Sequence, residues 1–212
     1  MHIEVLVEDS SGKTFLESII PKIITDPNVT WRVHGYRGIG RIPRGLAGVA
    51  DPSKRIILDQ LPRLLGGFNR TPYVDAVIVV VDSDDRNCAS FFDELNSICV
   101  RVGMTKRVLF GLATEEMEAW YFGDQVAVIA AYPGANKNAL KAYVQDSVCG
   151  TWERLADAIA PGGFERVRIQ GWPAPGVLKA EWAGRIPPHM DVDRNVSPSF
   201  ESLRNGIREL LV

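Results

Sequence analysis

Carboxylates recur at the ends of apolar runs. Glu8 closes Ile3-Glu4-Val5-Leu6-Val7, and Asp82-Ser83-Asp84-Asp85 closes Ala76-Val77-Ile78-Val79-Val80-Val81. Each run reads as a buried strand. A carboxylate at the C-terminal end of such a strand faces the crevice where open α/β sheets bind ligands. Asp82 and Asp84, two residues apart, can both reach one ion. Like charges about 4 Å apart repel by roughly 4 kcal/mol at an effective dielectric near 20. Glu8, Asp82 and Asp84 together therefore need raised pKa values or a cation. Mg²⁺ (or Mn²⁺) suits them, because it takes one or two carboxylates, keeps waters and accepts phosphate oxygens. Alone, Asp82 could merely begin a turn and Asp84-Asp85 cap the next helix. Joined with Glu8, they read as an ion site.

A third acidic segment is Glu115-Glu116-Met117-Glu118-Ala119-Trp120. Glu115 and Glu116 suit a helix's first turn, where the dipole favours acids. Glu118 lies further into an apolar stretch beside Trp120 and Tyr121, and there it needs a partner, an ion or an arginine. Other motifs carry less. Ser11-Gly12-Lys13-Thr14 imitates the end of a Walker A loop, but the glycine required five residues before Gly12 is replaced by Val7, inside the strand. Helix capping by Ser10 or Ser11 explains the same residues. His2, His34 and His189 show no paired spacing. His189 to Asn195 imitates the start of a calcium loop without its glycine or distal glutamate.

The 212 residues carry a formal net charge of −2, with 46% hydrophobic and 24% charged residues, which is ordinary for a globular chain with a sizeable core. Charge is nevertheless uneven. Between residues 31 and 70, Arg32, Arg37, Arg41, Arg44, Lys54, Arg55, Arg63 and Arg70 face only Asp51 and Asp59. This basic stretch is a candidate footprint for an anionic partner, and a solvated arginine-rich face explains it about as well. Three cysteines without a Cys-x-x-Cys pair argue against a disulfide framework and fit a reducing compartment. The N-terminus runs straight into a charged strand and does not read as a signal peptide, and no apolar run approaches the roughly 20 residues of a membrane span. The expectation is a cytoplasmic protein without a membrane partner.

The elements that must position these residues follow from periodicity. Strands are predicted over 3–8, 29–34, 75–82 and 106–112. The strand at 75–82, apolar on both faces, is predicted to be central. Helices are predicted through Phe15 to Ile24, over 53–65 with Gly66-Gly67 as its stop, and through Phe91 to Val102. Gly35 to Gly48 reads as a loop. Beyond Thr114 the pattern changes to short helices at 115–124, 136–145 and 151–160. Residues 161–199 show no strong element beyond a short helical stretch at 178–183, and a last helix spans about 199–211. The alternation implies an α/β core with a mostly parallel sheet over residues 1–124. Residues 125–212 form a helical extension packed on it.

Glu8 closing a first strand, with Asp82-Ser83-Asp84 closing a later one, resembles the TOPRIM fold of topoisomerases, primases and overcoming-lysogenization-defect nucleases. Val7-Glu8, Val81-Asp82-Ser83-Asp84 with Cys88, Glu116-Met117-Glu118-Ala119-Trp120 with Asp124, and Asn195 to Phe200 resemble more closely an uncharacterised bacterial family with a TOPRIM-like (Rossmann-like) core. One departure stands out. Where that family commonly has Glu-Gly followed by Thr-Glu, this chain has Glu8-Asp9-Ser10-Ser11-Gly12-Lys13-Thr14. The second acid of the turn is lost, a two-ion arrangement comes into question, and Lys13 is a substitute positive charge.

The resemblance implies metal-dependent phosphodiester hydrolysis of nucleic acid, DNA rather than RNA, in phage defence. It assigns Asp82, Asp84 and Glu118 to the ion and Glu8 to proton transfer. Arg37, Arg41, Arg44 and Lys13 become phosphate contacts. The alternative is a non-catalytic module that binds nucleic acid, nucleotide, or a partner ATPase or other defence protein. A third expectation is a stand-alone nucleotide hydrolase or transferase using the same ion.

Overall fold

The computed structural model describes residues 1–43, 55–171 and 173–212. Four strands and crossover helices form the first half: β1 (His2–Val7), α1 (Ser10–Ile23), β2 (Thr30–Gly35), α2 (Ile57–Asn69), β3 (Ala76–Asp82), α3 (Cys88–Arg101) and β4 (Arg107–Ala113). Every strand pair is parallel, in the order β2-β1-β3-β4. This is an α/β sheet of the Rossmann-like kind. Both central strands are buried on both faces; β3 is apolar up to its closing aspartate, while β1 also buries Glu4, whose carboxylate meets His34 Nε2.

Alternation along the strands divides the core in two. Ile3, Val5, Val7, Ala76, Ile78 and Val80 face α1 and most of the C-terminal helices. Leu6, Val77, Val79 and Val81 face α2 and α3. The chain leaves β1 through α1 on one face to reach β2, then crosses the other face through α2 to reach β3. Strand order therefore reverses between β1 and β3, and the tips of those two strands border the crevice.

The second half is helical: α4 (Glu118–Phe122), α5 (Gln125–Ala131), α6 (Lys137–Ala142), α7 (Thr151–Ile159), α8 (Gly163–Gln170), α9 (Ala174–Arg185), a 3₁₀ turn (Pro187–His189) and α10 (Pro198–Leu210). Three expectations are corrected. Helix α2 runs through Gly66 and Gly67 to Asn69; a mid-helix glycine costs only about 1 kcal/mol, and buried Leu65 with half-buried Phe68 holds it in place. Residues 161–199 contain two full helices, α8 and α9. Helix α5 had no counterpart among the predicted elements. Helix α10 lies on β4, where Gly111 admits Leu203 and Gly206 admits Leu109; a Cβ at either glycine would sit under 3 Å from the opposing leucine. Among the described residues, no helix is long and apolar enough to cross a membrane.

Candidate active site

The junction between β1 and α1 is only Glu8-Asp9. Helix α1 is capped by Asp9, whose Oδ1 accepts from the Gly12 N–H at 2.6 Å. The cap is thus Asp9 and neither serine, and no loop exists that could wrap a phosphate. The Walker-like tetrapeptide is a helix start. Gly12 is needed there because a Cβ would meet Val7 at 2.5 Å and Met117 at 2.9 Å.

Glu8 and Asp82 stand at the tips of the two central strands. Glu8 Oε2 and Asp82 Oδ1 are both buried without a hydrogen-bond partner. Burial, with the charges of Asp84 and Asp9, raises the Glu8 pKa to about 7, although an Asp82 backbone N–H opposes the shift. Burial also raises Asp82 well above the usual carboxylate range; Glu8 and Glu118 add to this and Lys179 opposes it. Buried carboxylates with open oxygens are costly unless protonated or met by a cation.

Asp84 and Glu115 are joined to each other. Both have left-handed backbone, φ 49° and 59°, which non-glycine residues seldom adopt. The Asp84 N–H donates to the Glu115 carbonyl at 3.0 Å, and the Glu115 N–H donates to Ser83 Oγ at 2.9 Å. Asp84-Asp85 does not cap α3, because Asn87 accepts from the Ser90 N–H instead. Asp84 is half exposed and lies 3.6 Å from Arg86.

Glu115 and Glu116 precede α4, so the first-turn expectation is corrected. They meet a different helix. Glu115 accepts from the N–H groups of Cys149, Gly150 and Thr151 at 2.8–3.0 Å and from the Thr151 hydroxyl. Burial raises its pKa, but these four bonds outweigh it and hold the carboxyl below its ordinary value. Glu116 accepts from the Trp152 N–H at 3.0 Å. The two glutamates thus satisfy the otherwise unpaired N–H groups at the start of α7.

Glu118 is 5% exposed, and the cationic side chain that meets it is a lysine rather than an arginine. Lys179 reaches in from α9 with Nζ 2.9 Å from Glu116 Oε1 and 3.4 Å from Glu118 Oε2. Burial would lower the Lys179 pKa, but Glu118 and Glu116 outweigh it and raise it. The ammonium also lies 5.9 Å from the Trp152 ring centre. Tyr121 is buried beside the acids; burial and Glu118 raise its pKa, so its hydroxyl stays protonated. Sequence reading missed Lys179. It belongs to no acidic motif and lies 61 residues from Glu118 in a proline- and glycine-rich segment.

Lys13 stands outside this cluster, 3.6 Å from Glu17 on the same helix. Arg37 and Arg41 are exposed on the segment after β2, whose backbone is held by Arg37 N–H to Arg55 O and by Arg41 N–H to Asp59 Oδ1. Arg44 lies outside the described residues. Asp124 and the Asn195–Phe200 segment are structural. Arg194 grips Asp124 with two bonds of 2.8 and 2.9 Å. Asn195 donates to the Trp120 carbonyl at 2.7 Å, and Ser197 caps α10.

Among the described residues, no three His, Cys, Asp or Glu side chains stand together in an arrangement ready for a metal ion. Two of the inner carboxylates, those of Glu116 and Glu118, are turned to Lys179. The donor set nevertheless fits a hard cation: all oxygens, with two buried carboxylate atoms unpaired. No protein-family model, curated protein or solved structure matches the chain.

Proposed function

We propose that the protein is a divalent-cation-dependent phosphodiesterase acting on nucleic acid, with a TOPRIM-type acidic site at the crevice between β1 and β3. The observation that carries this reading is the pair of buried, unpartnered oxygens, Glu8 Oε2 and Asp82 Oδ1, at the reversal of strand order. Asp82, Asp84 and Glu118 would hold Mg²⁺ or Mn²⁺. When bound, the ion supplies Lewis-acid polarisation of the phosphate and a more acidic water. Glu8, with a pKa raised to about 7, is suited to take a proton from the attacking oxygen or return one to the leaving oxygen. Lys179 brings an ammonium to the same place and favours an anionic substrate. The exposed Arg37 and Arg41, with Arg44 in the same basic stretch, would meet flanking phosphates and fix register. The TOPRIM resemblance extends the proposal to DNA and to a role in phage defence.

A second reading is a non-catalytic module that binds nucleic acid, a nucleotide or a partner ATPase. It is favoured by one observation, that Lys179 already neutralises part of the acidic centre. Strand cleavage and Mn²⁺ titration separate the two. Under the first reading, Glu8→Gln and Asp82→Asn lower cleavage of DNA at least 100-fold, the scale of a general acid–base group. The Asp82→Asn/Asp84→Asn double variant also loses saturable Mn²⁺ binding. Unchanged cleavage in the single variants sinks it. Loss of nucleic-acid binding in Arg41→Ala but not in Asp84→Asn would support the module instead.

A further inference from the structure

We infer that Lys179 is the resident counter-cation of the acidic site, and that a substrate phosphate and a divalent ion bind there synergistically. The phosphate draws the ammonium off Glu116 and Glu118, and the ion takes the carboxylates so released. This inference rests on the ion-site reading above.

The argument is one of charge and reach. Two carboxylates, Glu116 just before α4 and Glu118 at its first residue, converge on one ammonium from α9, at 2.9 and 3.4 Å. An ammonium has three N–H donors, and here two point at these acids. A divalent ion held by the same acids would be repelled by that ammonium, with twice the force that a monovalent ion would feel. Ion and ammonium therefore compete for Glu118, whose single negative charge only partly offsets their mutual repulsion. A further anion between them offsets the rest, since it attracts both. Without phosphate the ion competes with Lys179 for the acids; with phosphate the two cations share a bridge.

The side chain can make this move without the backbone. Trp182 and Ala183 are buried beneath α9 and hold the helix against the core, while Lys179 sits on a flexible four-carbon stem. The Lys179 side chain is 22% exposed, so it borders solvent and is not sealed in the core. Glu116 keeps a second tie to another helix, the Trp152 N–H, whereas the further bond of the Glu118 carboxyl is only to its own backbone N–H. Glu118 is thus the acid that the swing frees.

The test measures Mn²⁺ affinity from the free-ion signal in electron paramagnetic resonance. Wild type, Lys179→Met and Lys179→Arg are each titrated with and without a nuclease-resistant phosphorothioate oligothymidylate, after subtraction of Mn²⁺ bound by the oligonucleotide alone. Lys179→Met is expected to bind Mn²⁺ at least tenfold tighter than wild type without oligonucleotide. The oligonucleotide should tighten Mn²⁺ at least fivefold in wild type and less than twofold in Lys179→Met. Lys179→Arg, which keeps the charge, should follow wild type and show that the pocket tolerates substitution. Equal or weaker Mn²⁺ binding in Lys179→Met overturns the inference, as does equal coupling in both proteins. If wild type and both variants bind no Mn²⁺ under either condition, the ion-site reading itself falls, and this inference with it.

Discussion

A half-buried carboxylate beside other carboxylates holds its proton to higher pH, and Glu8 is in that position. Its pKa is raised from 4.5 to about 7, first by burial and then by Asp84. The sign of the effect on stability follows from linkage. An acid whose folded pKa is raised costs stability above its unfolded pKa, and the cost grows between about pH 4.5 and 7 and then stays constant. Glu8→Gln is therefore expected to stabilise the ion-free protein at pH 8 by on the order of 1–3 kcal/mol, read as a higher melting temperature. At pH 4.5 the gain should vanish, and differential scanning calorimetry at the two pH values checks this. An equal gain at both pH values would mean that the carboxyl is not strained by its charge. Saturating Mn²⁺ should remove the advantage of the variant, a stability–function trade at a binding site. The place of Glu8 and Asp82 at the tips of neighbouring strands was legible in sequence because strand ends are legible. Lys179 was not, because nothing local marks a lysine whose partners lie on another element.

Element by element, the crossover helices do the positioning. Helix α1 carries Asp9 as its cap and is anchored at its far end by Lys22, whose Nζ donates to the carbonyls of Pro187, Pro188 and Met190 at 2.7–2.9 Å. That clamp ties α1 to the 3₁₀ turn following α9, and hence to the helix that delivers Lys179. Lys22→Met is expected to cost at least about 2 kcal/mol, since hydrogen bonds to charged groups each contribute on the order of 1.5–3 kcal/mol and, of the three acceptors, only Pro188 is exposed to recover water. Urea denaturation should show a lower midpoint with an unchanged slope; an unchanged midpoint would show the clamp to be energetically idle. The strands were legible because long apolar runs admit no other two-faced burial. Helices α8 and α9 were not. Helix α9 opens on Pro173-Ala174-Pro175-Gly176, which reads as a breaker although proline is well tolerated in a first turn. The roles of Glu115 and Glu116 were hidden for a related reason: a left-handed turn at Glu115 aims them at α7, and no periodicity reports such a turn.

Across the whole molecule, the core on the α1 side of the sheet ignores the division near residue 124. Phe15, Trp120 and Phe200 meet with ring centres 5.4 to 6.5 Å apart, and Trp182, Ile186, Leu203 and Ile207 join the same buried cluster. Fully burying one such side chain contributes about 1.5–3 kcal/mol, so a fragment of residues 1–124 leaves several of these contributions unmade. That fragment is expected to lack a cooperative thermal transition and to bind the dye ANS as a loosely packed state. A sharp transition near that of the full chain would show that the α/β half stands alone.

Sequence by itself determined the parallel α/β core, the central position of β3 and the carboxylates at the strand tips, because burial on both faces and strand direction follow from local apolar pattern. It also marked the basic stretch between residues 31 and 70. Tertiary structure decided what surrounds those acids. It brought Lys179 between Glu116 and Glu118, gave Glu115 to the start of α7, took Asp124 away to Arg194 and left Lys13 beside Glu17. Each of these is a contact between elements, across 34 to 70 residues, or a choice among nearby partners on a helix face. Such pairings are set by how helices pack and by which carboxylate most needs a counter-charge, and neither quantity is written in local order.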